Sequence, residues 1–154
     1  MKKLLILPLL SPTLIQAESL YLVCEGKVKM YKDNKINQED MLKLSDLPTM
    51  QDKQIVEVYE SKIKVADLTF TNKGERTYGD SKWKDEYIKN GSSINASNST
   101  ITKCWSTTQT VSINRISGSI KVLYKTINKK CAEEDYIEAT YEYIGKCKKE
   151  DRAF

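Results

Sequence analysis

The chain has no histidine among its 154 residues. That absence removes Ser-His-Asp and Cys-His nucleophilic machinery, histidine-ligated zinc, and the usual general base near neutral pH. Paired cysteines at metal-ligand spacing are also missing. The four cysteines stand far apart, at Cys24, Cys104, Cys131 and Cys147, whereas a Cys₄ zinc site needs close pairs such as C-x₂-C. No metal and no cofactor is expected. A one-sided charge is lacking as well. Basic and acidic residues interleave along the chain, so there is no electrostatic footprint for nucleic acid. No internal repeat and no low-complexity segment is present.

The first residues, MKKLLILPLLSPTLIQA, read as a signal peptide over 1–17. Lys2 and Lys3 form a positive n-region, an apolar run follows from Leu4 to Ile15, and Ala17 is a small residue at a cleavage point before Glu18. The run is shorter than the roughly 20 apolar residues of a membrane span, and Pro8 and Pro12 interrupt it. No cysteine follows Ala17 to carry a lipid, so no membrane anchor is expected after cleavage. The remainder, 18–154, is expected to be a single domain in the periplasm or outside the cell. Loss of Lys2 and Lys3 takes the basic count from 25 to 23 against 21 acids, leaving a nearly neutral mature chain with a mixed-charge surface.

Within that domain the clearest local signal is VSINRISGSIKVLYK, residues 111–125. Val111 and Ile113 alternate with polar residues on the way in; Ile120, Val122 and Tyr124 do so on the way out. Ser117-Gly118 lies between as a turn pair suited to a two-residue hairpin. Leu20, Leu22, Cys24, Gly26, Val28 and Met30 form one face of a first strand. Ala139, Tyr141, Tyr143, Gly145 and Cys147 form one face of a last strand. Residues 54–71 are β-rich, with one apolar run through Val58 and Tyr59 and another from Ile63 to Phe70. The segment 32–53 reads as an exposed connection with Met41, Leu42, Leu44 and Leu47 as packing residues. For residues 81–90, SKWKDEYIKN, a short amphipathic helix is expected, with Trp83, Tyr87 and Ile88 on one face. GSSINASNST reads as a polar loop; the sequons at Asn90, just before it, and at Asn95 and Asn98 within it are candidate glycan sites in a eukaryotic host and accidents of composition in a bacterial one, the host expected here. The whole indicates an all-β domain, a single antiparallel barrel or sandwich.

Four cysteines in an exported chain indicate two disulfides. Spacing alone leaves three connectivities. The first and last strands become neighbours when a sheet closes into a barrel, and both their cysteines share the apolar face. This favours Cys24–Cys147, leaving Cys104–Cys131.

The motifs YLVCEG, INRISG and YIGKCKK, with a terminal RAF, resemble a group of small exported proteobacterial proteins of unknown function. That group has an early C-x-G, a central I-N-R-x-[ST]-G and a late G-x-C. The resemblance touches both ends and the central hairpin and implies a disulfide-linked, β-rich periplasmic domain. A weaker similarity is to the periplasmic inhibitors of chicken-type lysozyme. It rests on Tyr21 before Cys24, and on Ser117-Gly118-Ser119 followed by Lys121 and Tyr124, although the Ser-Gly-Ser loop lies late in this chain.

Among candidate sites, Arg115 shares parity with Val111 and Ile113. Pointing inward it would suit an anionic ligand; at the strand end it would pair with a carboxylate, which is the expected arrangement. Asn114 is expected exposed or capping the turn. Trp83, Trp105 and the tyrosines are expected in the core, with an aromatic sugar or peptide patch as the alternative. The neighbouring acids Glu133–Glu134 and Asp85–Glu86 are expected to be surface charges. The function expected is therefore a non-catalytic binding or interaction domain for a protein or small ligand. One alternative is inhibition of a cell-wall hydrolase such as lysozyme, with Asn114, Arg115, Ser117, Lys121 and Tyr124 as contact residues. Another is a small carboxylate-based hydrolase.

Overall fold

Alternation decides the first element. Leu22 and Cys24 are buried while Glu25, Lys27 and Lys29 are exposed, and a period of two places them on opposite faces of a pleated strand. The computed structural model describes residues 19–32, 51–128 and 137–150. Ten strands form: β1 Leu20–Lys32, β2 Lys53–Val58, β3 Lys62–Val65, β4 Leu68–Thr71, β5 Gly74–Tyr78, β6 Ser81–Lys89, β7 Ser93–Ile101, β8 Trp105–Asn114, β9 Ser119–Asn128 and β10 Ile137–Lys149. No helix occurs among the described residues. The expected signal peptide at 1–17, the packing residues between Met41 and Leu47, Cys131, Glu133, Glu134 and Phe154 lie outside them.

The strands make one antiparallel, curled sheet in the order β4-β3-β2-β1-β10-β9-β8-β7-β6-β5. This is a cyclic permutation of an up-and-down meander. The first and last strands pair at its middle, and the break falls between β4 and β5, which are consecutive in sequence. The result is a half-barrel. Gly74, at φ +69°, starts β5, and the β5 positions after it are all exposed. β5 therefore buries no side chain, even Tyr78 being exposed, and β4 lies instead across the concave side from β6 and β7.

The expected Cys24–Cys147 disulfide is present, at the register Cys24↔Cys147 and Gly26↔Gly145. The early Cys-x-Gly and the late Gly-x-Cys are thus one device, each glycine facing the other across the seam. A Cβ on Gly26 would stand 2.3 Å from the Ile144 carbonyl oxygen, and one on Gly145 would stand 2.6 Å from that of Glu25. Only hydrogen fits at either position. Cys104 is also disulfide-bonded; its expected partner Cys131 is outside the described residues.

Three expectations are corrected. Residues 81–89 are strand β6, not a helix: Trp83 and Tyr87 share the inner face, while Ile88 is 60% exposed on the other. The helical spacing of those aromatics was a coincidence of a period-two pattern whose inward residues include a charge, Asp85. The polar segment after Gly91 is mostly strand β7, because its Ser and Asn side chains are tolerated where the face is only partly covered. Finally, the run from Ile63 to Phe70 is two strands, β3 and β4. They turn at Ala66, which takes φ 50° without the glycine that would have announced it.

The core follows from register. Lys89, Ile94, Ile113, Ile120, Gly145 and Gly26 form one transverse row of the concave face; Tyr87, Ala96, Val111, Val122, Tyr143 and Val28 form the next. The short strands cover these rows with Val56, Val58, Ile63, Val65, Leu68 and Phe70, all buried. Each such side chain contributes about 1.5–3 kcal/mol by leaving water. Tyr87 ties the two layers, its hydroxyl donating to the Tyr59 carbonyl at 2.7 Å.

Candidate functional site

The expected contact residues do not form one surface. Asn114, Arg115 and Ser117 lie together in the β8–β9 turn. Lys121 lies on the convex face, its Nζ 2.6 Å from Glu142 Oε1. Tyr124 is buried on the concave face, edge-on to Tyr141 with ring centroids 6.3 Å apart. Alternation along β9 separates Lys121 from Tyr124: positions three apart cannot share a face.

The turn itself is longer than the two-residue form expected. Arg115, Ile116, Ser117 and Gly118 connect the strands. Asn114 Oδ1 accepts from the amides of Ile116 at 3.0 Å and Ser117 at 2.9 Å, the capping role anticipated for it. The Ser117 and Ser119 hydroxyls share a 2.9 Å hydrogen bond. Lys146 Nζ donates to the Ser117 carbonyl at 3.1 Å. Gly118 takes φ +67°, the positive value anticipated for it, and its carbonyl accepts from the Cys147 amide at 2.7 Å. A Cβ there would meet the Cys147 carbonyl oxygen at 2.7 Å, so the turn is seated directly on the disulfide seam. Arg115 does not point inward. It lies past the last ladder pair, exposed, and donates through Nη1 to the Asn90 carbonyl at 2.7 Å rather than to a carboxylate. Ile116 projects from the tip, 84% exposed.

Asn90 supports the same end. Its Oδ1 accepts from the amides of Ser92 at 3.0 Å and Ser93 at 2.8 Å. Asn95 lies on the convex face, accepting from the Ser112 hydroxyl at 2.9 Å. Asn98 has the parity of Ile94 and Ala96 and belongs to the concave face.

At the opposite end the strands β6 to β10 continue past the cover given by β2–β4. There the concave rows change character. By register Asp85, Asn98, Gln109, Tyr124, Tyr141 and Met30 form one row; Trp83, Thr100, Thr107, Thr126, Ala139 and Lys32 form the next. Asn98, Gln109 and the three threonines are partly exposed, while Asp85, Tyr124 and Ala139 in the same rows are buried. Trp105 has the same parity at the rim and is 42% exposed. Asp85 is buried and holds an ion pair with Arg76 of the neighbouring edge strand. Its sequence neighbour Glu86 faces the other way and pairs with Lys84 at 2.9 Å; that pairing keeps Glu86 below the ordinary carboxylate range and Lys84 above its own. Asp85 and Glu86 therefore do not act as a carboxylate pair. A shallow depression of about 530 Å³ lies at this end too, between Asp80, Lys82, Ile101, Thr102 and Lys103. Among the described residues no group of three or more His, Cys, Asp or Glu side chains converges as a metal site.

The signal for this end was present in the sequence as inward-parity positions turning from Ile and Val to Thr, Asn and Gln along β7, β8 and β9. It was unreadable without knowing where the cover stops. No family model, no curated protein and no solved structure matches the chain.

Proposed function

We propose that the chain is a non-catalytic binding domain of an exported compartment, docking on a protein partner through the β8–β9 turn. The observation that carries this reading is Ile116, a large apolar side chain 84% exposed at the tip of a turn seated on the disulfide seam. An apolar side chain on a pre-ordered turn loses little conformational freedom on docking, which is how rigid binding loops gain affinity. Arg115 and Ser117 flank it and are exposed. The Cys24–Cys147 bridge is compatible with an oxidising location, which supports export. The partner class favoured is a cell-wall hydrolase, on the similarity of the Ser-Gly-Ser segment to lysozyme inhibitors; Lys121 and Tyr124 are not part of the proposed contact surface.

The test is a cell-wall turbidity assay with chicken-type lysozyme, adding the oxidised protein and its Ile116→Asp variant. Stoichiometric inhibition by the parent, weakened by about tenfold or more in the variant, supports the reading. Full lysis in the presence of about 10 μM parent protein, where a specific complex would be well populated, removes lysozyme as the target.

A further inference from the structure

Basic and acidic residues interleave along the chain, but the fold sorts them. Alternation puts Lys27 and Lys29 of β1, and Lys146 and Lys148 of β10, on the convex face, away from the buried Cys24. Register brings Lys53 of β2 and Lys121 of β9 beside them. Over the span of β1 from Val23 to Lys29, the convex side of these four strands therefore carries six lysines, all exposed, against two glutamates, Glu25 and Glu142. The next acids on the same strands, Glu57 and Glu138, lie beyond that span at either end. Lys121 is paired with Glu142, and Lys146 donates to the Ser117 carbonyl. Lys27, Lys29, Lys53 and Lys148 form no ion pair among the described residues. The patch measures about 14 Å across the strands and about 20 Å along them.

We infer that this face docks peripherally on an anionic lipid surface, independently of the reading given to the β8–β9 turn. Charge complementarity requires an anionic partner, and two further observations select a lipid surface among anions. The first is apolar. Ile144, 47% exposed, stands between Lys27 and Lys121 across the ladders; Ile55, 48% exposed, lies beside Val23 in the row of Lys148. A soluble polyanion offers such side chains nothing. At a headgroup layer they enter the acyl boundary, while the lysine stems extend along it and hold their charges at phosphate level. The second is shape. β1 and β10 are fourth and fifth in the order of ten strands, so the patch sits at the crown of the curled sheet. A crown meets a flat surface freely, and it has no walls to enclose a small ligand. Each lysine near an anionic bilayer adds a modest, screened attraction. The contact is therefore reversible and salt-sensitive, not an anchor.

The test is vesicle flotation. All ten strands lie between Leu20 and Lys149, so the oxidised chain from Glu18 is used, without the apolar run that would itself bind lipid. Vesicles of phosphatidylcholine with phosphatidylglycerol, and of phosphatidylcholine alone, are compared at about 0.05 M and about 0.5 M NaCl. Flotation is expected with the anionic vesicles at low salt, and its loss at high salt. Lys27→Glu with Lys148→Glu should lower the partition coefficient by about tenfold or more. Lys82→Glu with Lys103→Glu changes the net charge equally on exposed lysines outside the patch, and should leave binding nearly unchanged. Both lysine pairs should keep the parent melting temperature, which separates docking from folding. Ile55→Ser with Ile144→Ser should weaken vesicle binding without altering the salt dependence. No flotation with anionic vesicles at low salt, equal binding to neutral ones, or equal loss in the two lysine pairs would overturn the assignment. Unaltered binding in the isoleucine variant, with soluble polyglutamate displacing the protein from vesicles at matched charge, would also overturn it and give the face to an acidic polymer.

Discussion

On one side of the β1–β10 seam the strands run for four to six residues; on the other, β6 to β9 run for nine or ten. Both arms alternate with period two. In the short arm nearly every inward side chain is apolar and buried, from Val56 to Phe70. Gln54 is the exception, and it is satisfied by donating to the Gln51 carbonyl at 2.6 Å. In the long arm the same parity carries Ile94 and Ala96, then Asn98 and Thr100. Facing inward is therefore not the same as being in the core. A strand face becomes core only where another layer lies over it, and among the described residues the cover given by β2–β4 ends before the strands do.

Breaking the seam between the arms should have the largest effect. The bridge closes a loop with a sequence separation of 123 residues, so its loss releases much chain entropy into the unfolded state. Cys24→Ala with Cys147→Ala is expected to cost about 4–5 kcal/mol, measured by urea unfolding. Next comes a matched pair of truncations, one per arm. Phe70→Ala, in the covered region, should cost about 3–5 kcal/mol through lost burial and a residual cavity. Thr107→Ala, at inward parity in the uncovered region, should change stability by about 0.5 kcal/mol or less. Equal costs at the two positions would dissolve the distinction between the arms.

Ala66 tests the short arm's turn. A left-handed alanine carries about 1–2 kcal/mol of strain; glycine relieves it but raises unfolded-chain entropy by about 0.4–1 kcal/mol. Ala66→Gly should stabilise by about 0.5–1 kcal/mol in the same denaturation assay. Destabilisation instead would show that the turn relaxes elsewhere.

The smallest effect is a dependence on alkali. Burial pushes the phenols of Tyr87 and Tyr143 above their ordinary value of 10.0, with the Glu60 charge adding for Tyr87 and those of Asp52 and Glu25 for Tyr143. Burial raises Tyr141 too. A raised value means that the native state holds the proton more tightly than the unfolded chain. The contribution is complete below pH 10 and is lost as pH rises through the raised folded values. Melting temperature should be flat from pH 8 to 9.5 and fall above pH 10, less steeply in Tyr143→Phe. A parallel fall in that variant would assign the alkaline loss to other groups.

Much of this architecture is legible from the chain alone. Strand identity at β1, β8, β9 and β10 follows from clean alternation, and the Cys24–Cys147 pairing from two cysteines of equal parity on the terminal strands. Asn114 as a turn cap was readable from its chemistry. What misled was local: Trp83, Tyr87 and Ile88 fit a helical face as well as a strand, and ten residues hold too few periods to separate 3.6 from 2.0. Ala66 gave no turn signal because its positive φ is imposed by the β3–β4 hairpin rather than by its own preference. Arg115 was ambiguous because strand parity has no meaning one residue past the ladder.

Composition and period by themselves determined an all-β chain, its bridged terminal strands and the absence of histidine chemistry, since those depend on residue type and near neighbours. The tertiary structure alone decided where the sheet opens, at β4–β5, and how far the cover reaches. It therefore also decided that Trp105 and the inward threonines Thr100, Thr107 and Thr126 stay partly exposed while Ile94, Val111 and Ile113 on the same face are buried. Burial is a property of what lies opposite, and what lies opposite is set by the curl of the whole sheet.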